Sequence, residues 1–253
     1  MQAVSCVSAL ESAGSHQCAL SASDSLALYG NDSHAGLRPE ECDLVISLGG
    51  DGAVLRAAQT AIRAGKPLFG INSGRLGYLC AMPFEQIGRF DEILNECRIS
   101  ARGILSVTIG DRVIPAVNDL VIAKQRFGET VEMTVRIDEE EPFRLRGDGL
   151  IIATPTGSTA YNYSAGGPVL EPTVSAIALT PICSHEQMTH TNVIGASHCI
   201  TVMARADKGA IYADGNAVGD MAEPVTARYI PDALQLYVRH EPVCMMGGFM
   251  SRK

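Results

Sequence analysis

The first half of the chain alternates short apolar runs with amphipathic segments. Leu44–Leu48 is an apolar run that predicts a buried parallel strand, and Ala53–Ala64 has the apolar spacing of a helix that ends at Gly65. Pro67–Ile71 predicts the next strand, and Pro83–Cys97 predicts an amphipathic helix. Because strands that alternate with helices are typical of α/β proteins, this half predicts a parallel sheet.

Beyond about residue 100 the pattern changes to short β-rich segments separated by turn residues. This spacing favours an antiparallel sheet or a sandwich. The predicted fold class is α/β plus β, with an N-terminal Rossmann-like α/β domain over residues 1–100 and a C-terminal β-sandwich-like domain over residues 101–240. We expect the tail, residues 241–253, to return to the N-terminal domain. The β-rich segments are Ile104–Ile109, Val131–Ile137, Cys199–Ala206, Gly209–Ala213, Val225–Ile230 and Leu234–His240.

Charge and cysteine usage exclude several classes of protein. A net charge of −8 repels nucleic-acid phosphates and anionic lipid, so we expect no nucleic-acid partner and no membrane partner. No apolar run approaches the roughly 20 residues that span a bilayer. The eight cysteines are scattered singly without a CxxC pair, which argues against a zinc site and favours a reducing, cytoplasmic location.

A glycine-rich loop stands between the first predicted strand and its helix. Gly49, Gly50 and Gly52 allow a phosphate close to the backbone N–H groups at the helix N-terminus, and Arg56 adds positive charge one turn later. Asp51 supplies a carboxylate that can hold Mg²⁺ or accept a hydroxyl proton. A turn of this composition also joins strands to helices without any ligand. The chain lacks GxxxxGK[ST] and a well-placed GxGxxG, which disfavours a P-loop NTPase and a dinucleotide oxidoreductase.

Small polar residues are concentrated in Thr154–Ser164, directly after the apolar run Leu150–Ala153. Hydroxyls, amides and a glycine in this density suit a ribose or phosphate site. The alternative is structural, since Ser158 or Thr159 can cap a short helix. The pair Asn118–Asp119 is equally open, because it precedes an apolar segment and can either bind a ligand or open a strand.

Taken together, these segments resemble the NAD kinase (ATP-NAD kinase) family from about Asp43 to the end of the chain. The most specific is Thr154–Pro168, which is similar to the family signature TPTGSTAYxxSAGGP, whereas GGDG alone also occurs in lipid kinases and phosphofructokinases. In chain order the matching segments are Leu48–Gly52, Gly70–Gly77, Val117–Asp119, Gly147–Gly149, Thr154–Tyr161, Ser164–Pro168 and Thr180–Cys183.

The resemblance implies transfer of the terminal phosphoryl group of ATP, or of another donor, to the 2′-hydroxyl of the adenosine ribose of NAD, which gives NADP. Asp51 matches the family's GGDGT aspartate and would be the catalytic residue. The family's divalent cation, usually Mg²⁺, is held mainly through nucleotide phosphates, and its members form homodimers or homotetramers. The positions expected to bind NAD are Asp51, Gly52, Asn118, Asp119, Asp148, Thr159, Ala160, Tyr161 and Ser164.

Two departures from the family pattern bear on activity. Ala53 stands where the family has threonine, so a hydroxyl that caps the helix or touches phosphate is missing. Asp119 replaces glutamate and is one methylene shorter, so a water can bridge its contact. Two alternatives therefore stay open, a nucleotide-binding relative with impaired catalysis and a GGDG-type lipid kinase, which would not be expected to carry Thr154–Pro168.

Overall fold

The computed structural model of this chain describes residues 40, 42–74, 77–185, 188–205 and 207–239. These residues divide into two units. The first contains the described residues up to Ser100 and those from Leu234, and the second contains those of Ala101–Ala233. The tail that we expected to return to the N-terminal domain, residues 241–253, lies outside the described residues.

The first unit is built on short parallel strands. Its elements are β1 (Val45–Leu48), α1 (Asp51–Ala64), β2 (Leu68–Asn72), β3 (Met82–Pro83), a 3₁₀ helix (Phe84–Arg89), α2 (Phe90–Glu96) and the end of β15 (Val225–Val238). β2 pairs in parallel with β1, with β3 and, at Leu68, with Leu236 of β15. Gly65 ends α1 at φ 62°, a conformation that favours glycine. The predicted α/β architecture with a parallel sheet is confirmed.

Aromatic packing forms the core of this unit. The rings of Phe69 and Phe90 meet edge to face with centroids 5.1 Å apart, and Ile93 is fully buried in the same cluster. The single helix predicted over Pro83–Cys97 is wrong, because a 3₁₀ helix precedes α2. The backbone of Arg89, at φ −111° and ψ 22°, separates the two. Gly88 directly before it has a low helix propensity and weakens a continuous helix.

The second unit consists of two sheets. The first has the strand order β11–β10–β9–β6–β13–β14 with antiparallel pairs throughout. The second has the order β15–β12–β7–β8, also antiparallel, and includes the β4–β5 pair. The strands are β4 (Arg98–Ile109), β5 (Arg112–Ala116), β6 (Asp119–Lys124), β7 (Val131–Ile137), β8 (Phe143–Gly147), β9 (Gly149–Ala153), β10 (Ala176–Ile182), β11 (Asn192–Gly195), β12 (Cys199–Ala204), β13 (Gly209–Ala213) and β14 (Asn216–Asp220).

One apolar cluster joins the two sheets of this unit. Ile122 and Leu150 of the first sheet and Val135 and Ile200 of the second are all fully buried in it. The predicted β-sandwich-like fold is therefore confirmed. The prediction of separate strands at Val225–Ile230 and Leu234–His240 is wrong, because β15 continues through Asp232 at φ 52°. A positive-φ residue of this kind is accommodated within a strand as a local irregularity.

The outer face of the first sheet is covered by the segment that follows β9. Ala165 and Leu170 pack on a second apolar cluster that contains Ile151, Ala153 and Ala178. This packing fixes the polar segment Thr154–Pro168 against the end of β9. Among the described residues, no helix combines the length and the apolar character that crossing a membrane requires.

Candidate functional site

The glycine loop of the first unit turns the chain from β1 into α1. Gly49 has φ 146°, and a Cβ there would lie 2.7 Å from the Cβ of Ala53, so only glycine fits. The N–H of Gly49 donates to Ile71 O at 2.9 Å and ties the loop to β2. The predicted loop Gly49–Gly52 is too long, because α1 already begins at Asp51. The N–H of Ala53 already donates to Gly50 O at 2.8 Å, so the N–H groups of Asp51 and Gly52 are the ones at this helix N-terminus that can bind an anion.

The carboxylate of Asp51 is held by the backbone of a later loop. Oδ2 accepts the N–H of Tyr78 at 2.9 Å, and Oδ1 accepts the N–H of Leu79 at 3.0 Å. A side chain at Gly77 would overlap the Asp51 carboxylate, so the loop approaches this closely only with glycine there. Because each carboxylate oxygen has two lone pairs, each can still accept one further hydrogen bond. The Asp51 carboxylate is therefore oriented and still able to accept a proton.

Arg56 and Cys80 complete the surroundings of this loop. Nη1 of the exposed Arg56 lies 3.8 Å from the position that a Cβ at Gly52 would take, so its charge is next to the helix N-terminus. The Cys80 thiol donates to Gly49 O at 3.5 Å. Burial, reinforced by the Asp51 charge, raises the pKa of Cys80 to about 12, so the thiol stays protonated.

In the second unit, the carboxylate of Asp214 accepts hydrogen bonds from the backbone of residues 117–119, which we call the gripped backbone. Oδ2 accepts the N–H of Val117 at 2.9 Å, and Oδ1 accepts the N–H groups of Asn118 at 2.7 Å and Asp119 at 3.3 Å. The N–H of Asp214 in turn donates to Asp119 O at 3.0 Å. One side chain therefore accepts the N–H groups of three consecutive residues.

On its other side, the gripped backbone accepts hydrogen bonds from Thr154, at the start of the polar segment. Thr154 donates its hydroxyl to Val117 O at 2.6 Å and its N–H to Asn118 O at 2.9 Å. The N–H of Gly157 donates to Thr154 Oγ1 at 3.0 Å, and a side chain at Gly157 would overlap the Asn118 backbone. Glycine at this position is required because the two backbones touch.

The side chains of Asn118 and Asp119, which project from the gripped backbone, differ in burial. Asn118 is half-buried, and within the residues that the structure describes no protein group hydrogen-bonds its carboxamide. Asp119 is 4% exposed, and burial, reinforced by the charge of Asp214, raises the pKa of Asp119 to about 7. Burial also raises the pKa of Asp214, against the opposing effect of its three N–H bonds. The site combines a partly exposed amide that has no protein partner among the described residues with a buried carboxyl whose pKa lies near neutral pH.

The raised pKa of Asp119 predicts a pH-dependent cost in stability. Between about pH 4 and pH 7, Asp119 loses its carboxyl proton in the unfolded chain and keeps it in the folded chain. The free energy of unfolding therefore falls as the pH rises through this range. Asp119→Asn removes the ionisation. We expect the variant to exceed wild type in free energy of unfolding by on the order of 4 kcal/mol at pH 8 and to match it near pH 4. Urea unfolding at both pH values measures this, with the exposed Asp43→Asn as control, and a variant that is less stable at pH 8 contradicts it.

After Gly157 the chain is anchored by a buried asparagine. Asn162 donates to Ser158 O at 2.9 Å and to Pro168 O at 3.0 Å, and its Oδ1 accepts the hydroxyl of Thr180 at 2.6 Å. The elements here are a 3₁₀ helix (Thr156–Thr159) and the short α3 (Tyr161–Ser164). Neither has a side-chain cap, so the alternative in which Ser158 or Thr159 caps a helix is wrong. The buried Ser158 hydroxyl donates to Pro155 O at 2.7 Å instead.

Four of the predicted site residues lie on the segment that Asn162 anchors. Thr159 and Ala160 are half-buried, while Tyr161 and Ser164 are exposed. The structure keeps them on the same short segment that contacts Asn118 through Gly157. These residues therefore lie on a partly exposed segment that follows directly after the contact between Gly157 and the Asn118 backbone.

Asp148 lies apart from the other predicted residues of this unit. Asp148 precedes β9 and Thr154 follows it, so the two are six residues apart along an extended chain, a separation of about 20 Å. Its carboxylate forms an ion pair with Lys124 at 2.7 Å. The structure does not bring Asp148 next to Asn118.

Three contributors to the site were not predicted as site residues. Asp214–Gly215 has the composition of a hairpin turn, which it forms, but the sequence does not indicate where the Asp214 carboxylate points. Gly77 and Thr154 belong to segments that we singled out, yet their contacts with Asp51 and Val117 depend on tertiary packing. An Asp at a glycine turn next to a strand is the one available signal, and it is weak.

A metal ion bound by protein alone needs several carboxylate, imidazole or thiolate ligands that lie close together. Within the described parts of the chain, no three His, Cys, Asp or Glu side chains converge on a point that could hold one. A cation held mainly through substrate phosphates needs only one or two carboxylates. The spare lone pairs of Asp51 fit this second arrangement.

Comparison with protein families gives two matches. Residues 9–97 match the model of the ATP-NAD kinase N-terminal domain, and residues 117–227 match that of the ATP-NAD kinase C-terminal domain.

Individual relatives agree with these matches. The NAD kinase of Symbiobacterium thermophilum is 38% identical over 208 residues, which cover 75% of this chain and 74% of the relative. The NAD kinase of Thiobacillus denitrificans is 40% identical over 184 residues, and there the chain spans 69% of its own length and 63% of the relative.

Among solved structures, an NAD kinase from Archaeoglobus fulgidus in complex with ATP has a TM-score of 0.70 at 29% identity and covers 83% of each chain. Yeast NADH kinase complexed with NADH has a TM-score of 0.70 at 25% identity, covering 85% of this chain and 67% of that one.

Proposed function

This chain belongs to the ATP-NAD kinase family, a family of phosphotransferases, and we propose that it transfers the terminal phosphoryl group of ATP to the 2′-hydroxyl of the adenosine ribose of NAD. The predicted family is confirmed. The matches favour NAD kinase over the lipid-kinase alternative, because both domain models cover the chain outside the shared GGDG loop. The complexes of structural neighbours with ATP and with NADH support these two nucleotides as ligands.

The observation that best supports an NAD site is the gripped backbone at Asn118. The three N–H groups and the three carbonyls of residues 117–119 are all bonded within the second unit, while the Asn118 carboxamide has no protein partner among the described residues. A rigid backbone that presents a free polar side chain is preorganised for a ligand. We infer that Asn118 and Asp119 bind NAD, together with Thr159, Ala160, Tyr161 and Ser164 on the neighbouring segment.

Asp51 is proposed as the catalytic residue. As the 2′-oxygen of the ribose attacks the terminal phosphorus, the bond from that phosphorus to the bridging oxygen of ADP breaks, and the Asp51 carboxylate accepts the hydroxyl proton. The bonds from Tyr78 and Leu79 fix the carboxylate for this contact. The backbone of Gly49, Gly50 and Gly52, with Arg56 beside it, is proposed to bind phosphate.

Mg²⁺ or another divalent cation is proposed to accompany the nucleotide, bound mainly to its phosphates with Asp51 as the available protein ligand. When bound, such an ion neutralises the charge that develops on the transferred phosphoryl group.

ATP is the proposed donor, and a glycine-rich anion loop also suits other nucleoside triphosphates or polyphosphate. NADP formation with each donor in turn tests this choice.

The position of Asp148 bears on assembly. Because it lies about one strand length from Asn118, it does not share a contact with that residue within one copy. We propose that this chain forms a homodimer or homotetramer in which Asp148 reaches the NAD bound by a second copy. Sedimentation with and without NAD tests the assembly.

A cytoplasmic location is proposed from the thiols. Among the described residues, Cys80, Cys97, Cys183 and Cys199 form no disulfide. Unpaired cysteines in this number suit a compartment that keeps thiols reduced.

Ala53 provides a test of the alternative with impaired catalysis. The prediction that a threonine here would cap the helix is wrong, because Gly50 is the N-cap and residue 53 is the third position of α1. We therefore expect Ala53→Thr to raise kcat/KM for ATP through a new hydroxyl contact, while helix propensity lowers stability by about 0.5 kcal/mol. NADP formation at matched protein concentrations and thermal melts measure both. Activity found only in the threonine variant would favour the nucleotide-binding relative.

A further inference from the structure

Asp214 lies at the tip of the β13–β14 hairpin, about a hundred residues along the chain from the backbone that it grips. Its φ is 48° and that of Gly215 is 76°, the pair of positive values typical of a tight two-residue turn. A hairpin of this type needs only the turn-forming tendency of Asp and Gly. It does not require the carboxylate to bond elsewhere, so the three N–H bonds call for a separate explanation.

These bonds act on the part of the chain that carries Asn118 and Asp119. Without Asp214, the N–H groups of Val117 and Asn118 would lose their acceptors at 2.9 Å and 2.7 Å. Thr154 and Gly157 would still restrain the other side of this backbone. Asp214 therefore governs the orientation of the peptide planes from which both side chains project.

We propose that Asp214 is a positioning residue for the dinucleotide, which orients Asn118 and Asp119 through their backbone without touching the ligand. The proposal rests on the proposed function of the Asn118 pair. It concerns binding of NAD and leaves the donor side of the reaction unchanged, because Asp51 and the glycine loop belong to the other unit.

Asp214→Asn tests this with little disturbance of the turn. Asparagine tolerates the left-handed conformation that Asp214 adopts, and it has nearly the same size. Its amide group, however, points a donor at an N–H group that the carboxylate now accepts. We expect the dissociation constant for NAD, measured by calorimetry, to rise about tenfold or more, because hydrogen bonds to a charged acceptor are lost.

The readouts separate positioning from general structural damage. We expect kcat at saturating NAD and KM for ATP to stay within about twofold of wild type, while amide hydrogen exchange accelerates in the peptide containing residues 117–119. Asp220→Asn is the matched control. Its exposed carboxylate also accepts a backbone N–H, that of Ala222 at 3.1 Å, but at the far end of β14.

An NAD dissociation constant that is unchanged in Asp214→Asn overturns the proposal. So does a variant in which kcat, KM for ATP and melting temperature all deteriorate together, since that marks a structural role. A wild type that binds NAD but forms no NADP contradicts the proposed kinase function, whereas the calorimetric comparison still decides the role of Asp214.

Discussion

Asp51→Asn is expected to lower kcat for NADP formation by about 10²–10⁴-fold, the usual contribution of a general base. The amide cannot accept the 2′-hydroxyl proton as the carboxylate does. The substitution also disturbs the local structure, because both oxygens of the Asp51 carboxylate accept backbone N–H groups and the amide NH₂ of asparagine cannot. Since the lost interaction forms mainly in the transition state, NAD affinity should change little.

Steady-state kinetics and calorimetric titration with NAD separate these effects. Asp43→Asn is the control, because Asp43 is an exposed carboxylate just before β1 in the same unit. Thermal melts of both variants report any loss of the Tyr78 and Leu79 contacts. Wild-type kcat in Asp51→Asn excludes this residue as the base.

Asn118→Ala and Asp119→Ala are each expected to weaken NAD binding by about 1–3 kcal/mol, which is about 5–150-fold in dissociation constant. The reason is that each variant leaves a polar group of the bound nucleotide without its partner. Asp119→Ala should lose affinity while gaining stability at pH 8, because a buried carboxyl is removed.

Calorimetric titration with NAD measures both variants, and Asn192→Ala, at an exposed position of β11 in the same unit, is the control. Melting temperatures confirm that the gripped backbone survives the substitutions. Equal NAD affinity in wild type and both variants assigns this pair a structural role only.

Much of the fold follows from the sequence. β7 and β13 lie where short β-rich segments between turn residues predicted strands, and Gly65 ends α1 as expected from its left-handed preference. The 3₁₀ helix before α2 was not predictable, because the same apolar spacing fits one amphipathic helix. The continuity of β15 was missed because Asp232 has the composition of a turn while the strand runs through it.

The site could be predicted in its parts and not in its contacts. Gly157 was found as part of a motif, and the structure explains it by the Asn118 backbone that passes against it. The bond from Asn118 to Asp214 joins residues 96 positions apart. No local pattern encodes such a contact, because it depends on how β6 and β13 pair.

The most direct test of the account is NADP formation by the purified chain. Protein is incubated with NAD, Mg²⁺ and ATP, and the NADP formed is read with an NADP-specific dehydrogenase, beside Asp51→Asn at the same concentration. The account predicts steady turnover by wild type that requires ATP and falls at least about 10²-fold in the variant. A wild type that binds NAD and ATP by calorimetry and yet forms no NADP contradicts it, and would identify this chain as a nucleotide-binding relative that has lost the chemistry.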